Sequence, residues 1–157
     1  MLEFRNRKEQ KNVSEILYLS GGMSGLSVRE ANEWRIKVKQ DLSAFILNGT
    51  LKVFNPMESY INNEYCMDER EAMQYDLNML RKSSYVLVYF NDTDSLGTAM
   101  EIAIAHELKI PIVGVFDWEE DCEAFDILHP WVYNMCDVIL DNLDDAIRYI
   151  GLNYLKI

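Results

Sequence analysis

Residues 85–108, YVLVYFNDTDSLGTAMEIAIAHEL, contain the pattern that decides the fold. Tyr85–Phe90 is a run of β-branched and aromatic residues, so we expect a strand that is buried on both faces. A polar loop, Asn91–Gly97, separates this run from the very apolar segment Thr98–Leu108, which we predict to be a helix. A buried strand followed by a loop and a helix is typical of a parallel sheet with helices packed against it.

The same alternation of short apolar runs and helical periodicity continues on both sides of this segment. Five strands are predicted at Ile16–Leu19, Leu51–Phe54, Tyr85–Phe90, Ile112–Phe116 and Val138–Leu140, and helices at Val28–Leu47, Met67–Lys82, Thr98–Leu108 and Asp144–Leu155. The acidic stretch Asp117–Asp126 is predicted to be a surface loop or lid. The prediction is therefore an α/β domain whose parallel sheet has helices on both faces.

Length, composition and charge limit the classes of protein that the chain can be. Its 157 residues match a single domain, predicted for residues 13–157 after a polar arm at residues 1–12 whose order the sequence leaves open. The net charge of −11 argues against binding to a nucleic-acid polymer or an anionic membrane, because both need clustered Lys and Arg side chains. No apolar run has the length of a membrane span, and three widely spaced cysteines indicate reduced thiols, so we expect a cytoplasmic protein.

In a parallel α/β sheet, ligands bind where the carboxyl ends of the strands meet. Three loops are predicted to lie there: Ser20–Gly25, Asn55–Glu64 and Asn91–Gly97. The first, SGGMSG, lacks the pattern of a dinucleotide loop or a P-loop, although its glycines could bring backbone N–H groups to an anion. Taken alone, this loop is equally compatible with a tight turn and with a ligand cradle.

Asp76 is the first candidate for a catalytic carboxylate. It falls on the same face of its predicted helix as Met73, Leu77 and Leu80. A carboxylate on a buried face is costly unless it has a partner or a function, and burial would raise its pKa as a general acid requires. The alternative is a structural aspartate that bonds to a backbone group or to Arg81.

Glu101 is the second candidate. Within Thr98-Ala-Met-Glu101 it has the spacing of a capping box, in which the glutamate accepts a hydrogen bond from the backbone N–H of the N-cap residue. The same placement puts the carboxylate in the first turn, where the helix dipole keeps it ionised, as a nucleophile requires. Taken alone, this segment favours the structural role, and both roles can coexist.

The other chemistry-bearing residues give weaker signals. His106 lies within the apolar helix and is expected to be a buried, structurally bonded histidine, while His129 precedes a proline at the end of a loop. The spacing of Cys and His indicates no transition-metal site, and the acidic stretch is expected to be solvated surface. No metal or cofactor is predicted.

Together, these features resemble the nucleoside 2-deoxyribosyltransferase family. The resemblance rests on Tyr18 with the glycine loop behind it, Asp76 on a helix face, and the pattern Asp-x-Asp-Ser-x-Gly-Thr-x-x-Glu before an Ala-rich helix. It spans residues 16 to about 143 and is strongest over 75–115. It implies a flavodoxin-like three-layer sandwich with a five-stranded parallel sheet, cleavage of the N-glycosidic bond of nucleosides, and a homo-oligomer in which a neighbouring subunit completes the site.

The resemblance also implies roles for individual residues. Glu101 corresponds to the nucleophile that attacks the anomeric carbon, Tyr18 to the tyrosine that positions that carboxylate, and Asp76 to the aspartate that handles the base and its proton. The reaction would be a double displacement through a glycosyl–Glu101 ester, which a second base or water then cleaves. The substrate-binding residues implied in this way are Gly21, Gly22, Asp92, Asp94, Ser95, Gly97 and His129. Asp126 is another candidate, in the segment around residues 126–129 that we call the late loop.

Ser95 is the position at which the sequence departs from the transferases. They carry an aspartate there, and Asp94 lies one residue too early. The segment Ser95-Leu-Gly97 is more similar to the related 2′-deoxynucleoside 5′-monophosphate N-glycosidases, but those hydrolases also have a serine where this chain has Gly22. The pattern is mixed, so the sequence predicts a deoxyribosyltransferase, with the nucleotide hydrolase as the alternative.

Two other functions remain compatible with the sequence. One is a non-catalytic nucleotide-binding module in which Glu101 is only a helix cap. The more distant one is a phosphoribohydrolase, although its longer glycine run is missing. The predicted ligands of the enzyme are a small nucleoside or nucleotide and a free nucleobase. Trp131, Tyr133 and Met135 are candidate residues of a subunit interface.

Overall fold

A computed structural model describes residues 14–61, 68–118 and 121–155 of the chain. Within these ranges the strands are β1 (Glu15–Gly21), β2 (Leu51–Phe54), β3 (Tyr85–Tyr89), β4 (Ile112–Val115) and β5 (Val138–Leu140). All pairings are parallel and the strand order is β2-β1-β3-β4-β5, which is the flavodoxin-like order. The predicted fold class is confirmed. The predicted arm at residues 1–12 lies outside the described ranges, so the domain boundary at residue 13 stays a prediction.

The helices differ from the prediction in two ways: one predicted helix is divided, and three short helices are additional. They are α1 (Val28–Asp41), α2 (Ser43–Leu47), α3 (Met57–Ile61), α4 (Glu69–Lys82), α5 (Leu96–Glu107), α6 (Ala124–Ile127), α7 (Pro130–Met135) and α8 (Leu143–Asn153). The helix predicted over residues 28–47 is two helices, because Leu42 leaves helical geometry at φ −98° and ψ 11°. The short helix α3 lies in a segment that was predicted as a loop, α6 overlaps the end of the predicted acidic loop, and α7 lies where no element was predicted. None of the helices in the described ranges is both long and apolar enough to cross a membrane.

Side chains alternate along β1 between two hydrophobic cores, one on each face of the sheet. Leu17 and Leu19 pack with α1 and α8, whereas Tyr18 packs with α4 and α5. This alternation follows from the two-residue period of a strand, and it explains why Leu17, Tyr18 and Leu19 are all apolar although they face opposite sides of the sheet. The sheet is therefore covered on both faces, as predicted.

The strand order reverses beside β1, which pairs with β2 on one side and with β3 on the other. Asn91 extends the pairing beyond β3: its Oδ1 accepts from the Gly22 N–H at 2.8 Å and its Nδ2 donates to the Gly22 carbonyl at 3.2 Å. A Cβ at Gly22 would lie 2.8 Å from the Cβ of Asp92, so only glycine allows this close approach. The loops after β1 and β3 are thus held together at the switch point, where α/β proteins of this topology bind ligands.

Candidate active site

Tyr18, Asp76 and Glu101 come from three elements and meet beside the carboxyl end of β1. Tyr18 is fully buried on β1, and Asp76 is half-buried on α4. Glu101 lies on α5, with its Oε2 atom shielded from solvent. Burial raises the pKa of the Tyr18 phenol most, and the negative charges of the nearby Glu101 and Asp76 carboxylates raise it further. The structure thus brings together the three residues that the sequence singled out, while their roles remain predictions.

The Glu101 carboxyl is unusual because it is buried without a hydrogen bond of good geometry. Burial raises its pKa to about 7, the hydroxyls of Tyr18 and Ser20 lower it, and the charge of Asp76 raises it. Among the described residues, however, neither hydroxyl nor the Glu101 Oε2 atom has a hydrogen-bond partner within standard limits. The two hydroxyls therefore lie near the carboxylate without forming a hydrogen bond to it. With a pKa of about 7, the carboxyl is close to the midpoint of its titration at neutral pH.

The capping box predicted at Thr98–Glu101 is wrong. The N-cap of α5 is Ser95, whose Oγ accepts from the Thr98 N–H at 3.4 Å and from the Thr98 hydroxyl at 2.9 Å. The helix begins two residues earlier than predicted, at Leu96, and Glu101 consequently lies in its second turn. Burial therefore governs its pKa rather than the helix dipole, and the fold does not use this carboxylate as a cap.

Asp76 lies on the face of α4 that packs against the sheet. It continues the buried line formed by Ala72 and Leu80 at four-residue steps, whereas Met73 is exposed, so the prediction that Met73 shares the buried face is wrong. Burial raises the pKa of Asp76 to about 6. The alternative partner, Arg81, donates instead to Asn78 at 3.4 Å.

Sequence reasoning missed Arg35 and Ser20. Arg35, on α1, is only 1% exposed and donates through Nη2 to the Gly21 carbonyl at 3.1 Å. Its charge lowers the pKa of both Glu101 and Asp76. A signal for Arg35 was present, because it lies four residues after Ala31 and three before Val38 on the apolar face of its helix. Ser20 offered no comparable signal, since a serine after a strand is common in turns.

The two glycines that follow Ser20 are required by packing. A Cβ at Gly21 would lie 2.9 Å from the Trp34 Cζ2 atom and 3.0 Å from the Tyr89 carbonyl oxygen. The backbone groups of Gly22 bond to Asn91, and the Gly21 carbonyl accepts from Arg35. The substrate-binding role predicted for these two glycines stays a prediction.

The loop before α5 and the first turn of that helix contain four of the predicted substrate-binding residues. Asp92 Oδ1 accepts from the Asp94 N–H at 2.9 Å, which folds the loop on itself, and Asp94 is exposed. Ser95 caps the helix, as described above. A Cβ at Gly97 would meet no atom of the described residues within 4 Å, so there is open space beside the first turn of α5. The substrate-binding role predicted for Asp92, Asp94, Ser95 and Gly97 stays a prediction.

These residues lie in a segment that also matches a known family of proteins. The family model described as "Nucleoside 2-deoxyribosyltransferase like" matches residues 15–118, which include Tyr18, Asp76 and Glu101. The chain belongs to this family. Membership supports an enzyme of the glycosyltransferase or N-glycosidase kind, and it confirms the resemblance that the sequence motifs indicated.

Solved structures with the same fold include a conserved protein from Enterococcus faecalis V583, with a TM-score of 0.67 at 15% identity over 88% of this chain and 98% of that one. A 2-deoxyribosyltransferase from Bacillus psychrosaccharolyticus gives 0.65 at 16% identity over 85% and 91%. A CMP N-glycosidase from Clostridium botulinum gives 0.54 at 15% identity over 88% and 98%. At these identities the similarity establishes the fold alone. Among curated proteins, none matches the sequence.

The late loop lies outside the segment that the family model matches. His129 is exposed and caps α7, with its Nδ1 accepting from the Trp131 N–H at 3.2 Å, and Asp126 is exposed on α6. His106 is exposed as well, so the prediction of a buried histidine is wrong: its position near the end of α5 faces solvent. The contribution of His129 to substrate binding stays a prediction.

Two further features bear on ligands. A cavity of about 390 Å³ opens at the carboxyl ends of β4 and β5, between the aromatic side chains of Phe116, Trp118, Phe125 and Tyr133. Within residues 14–61, 68–118 and 121–155, no group of three or more His, Cys, Asp and Glu side chains is arranged to hold a metal ion.

Proposed function

We propose that the protein cleaves the N-glycosidic bond of a 2′-deoxynucleoside and transfers the deoxyribosyl group to another base through a covalent glycosyl–Glu101 intermediate. The observation that carries this proposal is the Glu101 carboxylate, which is buried, has an oxygen without a partner among the described residues, and faces a second carboxylate. A buried carboxylate of this kind costs stability, and the helix cap that would otherwise explain it is made by Ser95.

In the first step, a Glu101 carboxylate oxygen attacks the anomeric carbon while the bond from that carbon to the base nitrogen breaks. The electron pair of that bond stays on the base, and Asp76 gives its carboxyl proton to the base. In the second step, a nitrogen of the incoming base attacks the same carbon, the Glu101 oxygen leaves as carboxylate, and Asp76 takes a proton from the new base. The Tyr18 hydroxyl faces Glu101 and orients it.

Both carboxyls of the proposed reaction titrate near neutral pH. Burial raises the pKa of Asp76 to about 6 and that of Glu101 to about 7. Because the groups interact, they lose their protons as a pair, and the singly protonated pair is populated near neutral pH. That state holds one carboxylate and one proton. The higher pKa of Glu101 places the proton mainly on Glu101, so double displacement proceeds from the less populated form in which Asp76 holds the proton and Glu101 is ionised. Its single negative charge also stabilises an oxocarbenium-like transition state.

A second candidate function is hydrolysis of a 2′-deoxynucleoside 5′-monophosphate. Ser95 favours it, because this residue caps α5 with a hydroxyl in place of the carboxylate that the transferases carry. A helix N-terminus without a carboxylate at its cap is compatible with a phosphate group. Against it, Asp92 and Asp94 lie in the same loop, and their negative charges would repel a phosphate.

The test is to incubate the protein with 2′-deoxynucleosides and with their 5′-monophosphates, each with and without a second free base, and to separate the products by chromatography. A transferase gives a new nucleoside only when the second base is present. Release of base and free sugar from a monophosphate without an acceptor would favour the hydrolase. Binding of these compounds without any cleavage would contradict both enzymes and favour the non-catalytic module.

The subunit arrangement and location belong to the same proposal. Trp131 is 71% exposed on α7, beside the half-buried Tyr133 and Met135, and we propose that these residues form part of a homo-oligomer interface. The free thiols of Cys122 and Cys136 are compatible with the reducing cytoplasm, where we place the protein. Sedimentation of the wild type and of Trp131→Ser tests the interface, since a dimer or larger assembly of the wild type should dissociate in the variant.

A further inference from the structure

Arg35 is a buried cation on the apolar face of its helix. It lies on α1 and is 1% exposed. Burying a guanidinium is costly unless hydrogen bonds or a counter-charge compensate for the lost water. The Nη1 atom donates to the Ala31 carbonyl within the same helix, and Nη2 donates to the Gly21 carbonyl at 3.1 Å. The Nε atom has no partner, and no carboxylate lies within 4.0 Å of the guanidinium, in the part of the chain that the structure describes.

The guanidinium occupies the space that the absence of a side chain at Gly21 creates. A Cβ at Gly21 would lie 3.5 Å from the Arg35 Nη2 atom and 2.9 Å from the ring of Trp34, which lies on α1 and packs with residues of α8. Arg35 also lies over the Trp34 ring, with its Cζ atom 4.5 Å from the ring centroid. Tyr18 and Ser20 point to the opposite face of β1, toward Glu101. The cation is thus separated from the carboxylates by the end of one strand.

We propose that Arg35 is a positioning residue of the active site, which fixes the Gly21 carbonyl at the end of β1 and supplies, from the far side of the sheet, the positive charge that balances Glu101 and Asp76. This inference rests on the proposed function, since it assigns Arg35 to the reaction of those two carboxyls. Arg35 does not touch the reacting atoms. It acts through the strand end that carries Tyr18 and Ser20, and through its charge.

The polar and charged groups near the Glu101 carboxyl, on its own side of the sheet and across it, come from four elements. Tyr18 and Ser20 lie on β1, Asp76 on α4, Tyr60 on α3 and Arg35 on α1. Arg35 is the one cation among them. Burial lowers its pKa to about 10, so it keeps its charge at neutral pH. Its electrostatic effect is to lower the pKa of both carboxyls, which keeps the singly protonated pair populated near neutral pH.

The experiment compares the pH profile of base release for the wild type and for Arg35→Met, which has a similar length but no charge. We expect both limbs of the profile to move to higher pH, by about one unit, because an opposite charge has been removed from both carboxyls. Arg35→Lys should keep the wild-type profile and lower kcat, since an ammonium preserves the charge without the planar fork that reaches both carbonyls. Arg29→Met is the matched control, because Arg29 is on the same helix, 83% exposed, and bonds only to Glu33 among the described residues.

A purely structural role for Arg35 predicts a different result. The Met variant would then lose thermal stability or kcat with an unchanged pH profile, and that outcome would overturn the proposal. If Arg35→Met does not fold, Arg35→Gln takes its place, because an amide can still donate to the Gly21 carbonyl while the charge is lost. An unchanged profile in folded Arg35→Gln overturns the proposal equally.

A second measurement separates this inference from the proposed function. Glutamate labelled with ¹³C at its side-chain carboxyl reports the titration of Glu101 by NMR, and the signal missing from Glu101→Gln identifies it. If the wild type cleaves no substrate, the proposed function fails, yet a higher titration midpoint of Glu101 in Arg35→Met still supports the electrostatic role. An unchanged midpoint in that variant overturns it.

Discussion

Two glutamates near the amino ends of helices, Glu30 in α1 and Glu101 in α5, have opposite properties. Glu30 is exposed and closes a capping box, in which its Oε2 accepts from the Ser27 N–H at 2.9 Å and the Ser27 Oγ accepts from the Glu30 N–H at 3.2 Å. The Ser27 N–H and the Ser27 hydroxyl, which donates to the Glu30 Oε2 at 2.8 Å, lower the Glu30 pKa. Glu101 is buried in the second turn of its helix, and burial raises its pKa to about 7.

The difference shows that only one of these carboxylates, that of Glu30, caps its helix. Both glutamates follow a serine or threonine at the spacing of a capping box, yet only the one after Ser27 forms it. In α5 the cap is Ser95, and Glu101 is carried one turn further, against the sheet. A carboxylate that stabilises a helix end is explained by the fold, whereas one buried without such a bond reduces stability, and for Glu101 we propose catalysis as the reason.

The largest expected effect is the loss of activity in Glu101→Gln. Glutamine has the same shape but cannot form the glycosyl ester, so base release should fall by about 10⁴-fold or more, as for other lost nucleophiles. Initial rates measured by chromatography of the released base test this. Glu30→Gln should keep the wild-type rate. If folded Glu101→Gln still released base at a comparable rate, the comparison would break, because both glutamates would then be structural.

Asp76→Asn should have the next largest effect, and that effect should depend on the leaving base. Loss of the proton donor is expected to reduce the rate about 10²–10³-fold with an ordinary purine deoxynucleoside. A 7-methylated purine leaves without needing that proton, so its cleavage should change little. Glu71→Gln, on the exposed face of the same helix, serves as the control. An equal loss with both substrates would indicate that Asp76 binds the substrate rather than protonating the base.

The two glutamates should also affect the pH dependence of stability in opposite directions. The folded-state pKa of Glu101 lies above its unfolded value of 4.5, so the folded protein binds more protons and stability falls as pH rises from about 4 to about 7. Glu101→Gln should remove this loss and be more stable than the wild type by about 3 kcal/mol above pH 8, with little difference at pH 4.

Urea denaturation of both variants across this range measures the effect. The folded-state pKa of Glu30 is lowered, so its contribution to stability is present above the unfolded value and is lost as pH falls through the folded one. Glu30→Gln should therefore be slightly less stable than the wild type at neutral pH and equal to it in acid. The same pH dependence in both variants would show that burial does not distinguish the two carboxylates.

The fold could be predicted from the sequence because its strands are short runs that are apolar on both faces. Tyr85–Tyr89 and Ile112–Val115 lie within one residue of their predicted ends. Helix ends were harder, because Ser95 and Thr98 are both good N-cap residues and local spacing does not choose between them. Packing of α5 against the sheet places the cap at Ser95, and this tertiary effect leaves no trace in the local sequence.

The candidate site was predictable to the extent that polar residues interrupt apolar periodicity. Asp76 was found in this way, and the same rule applied to α1 would have found Arg35 between Ala31 and Val38. The hydrogen bond from Arg35 to the Gly21 carbonyl does not follow from periodicity. Nor does periodicity show that Arg35 lies on one face of the sheet and the two carboxylates on the other, beside the same end of β1. Such contacts join residues that are distant in sequence, and only the folded sheet specifies them.

The smallest expected effect separates the two helix caps themselves. Ser27→Ala removes an N-cap bond and should lower the free energy of unfolding by about 1 kcal/mol without changing the rate of base release. Ser95→Ala removes the cap of α5 as well and should cost a similar amount, but it also changes the loop that faces the predicted sugar site, so KM should rise. Urea denaturation and initial rates over a range of substrate concentrations give both quantities. Equal KM values for the two variants would mean that Ser95 is a cap alone, and the difference between the two helix ends would then lie entirely in Glu101.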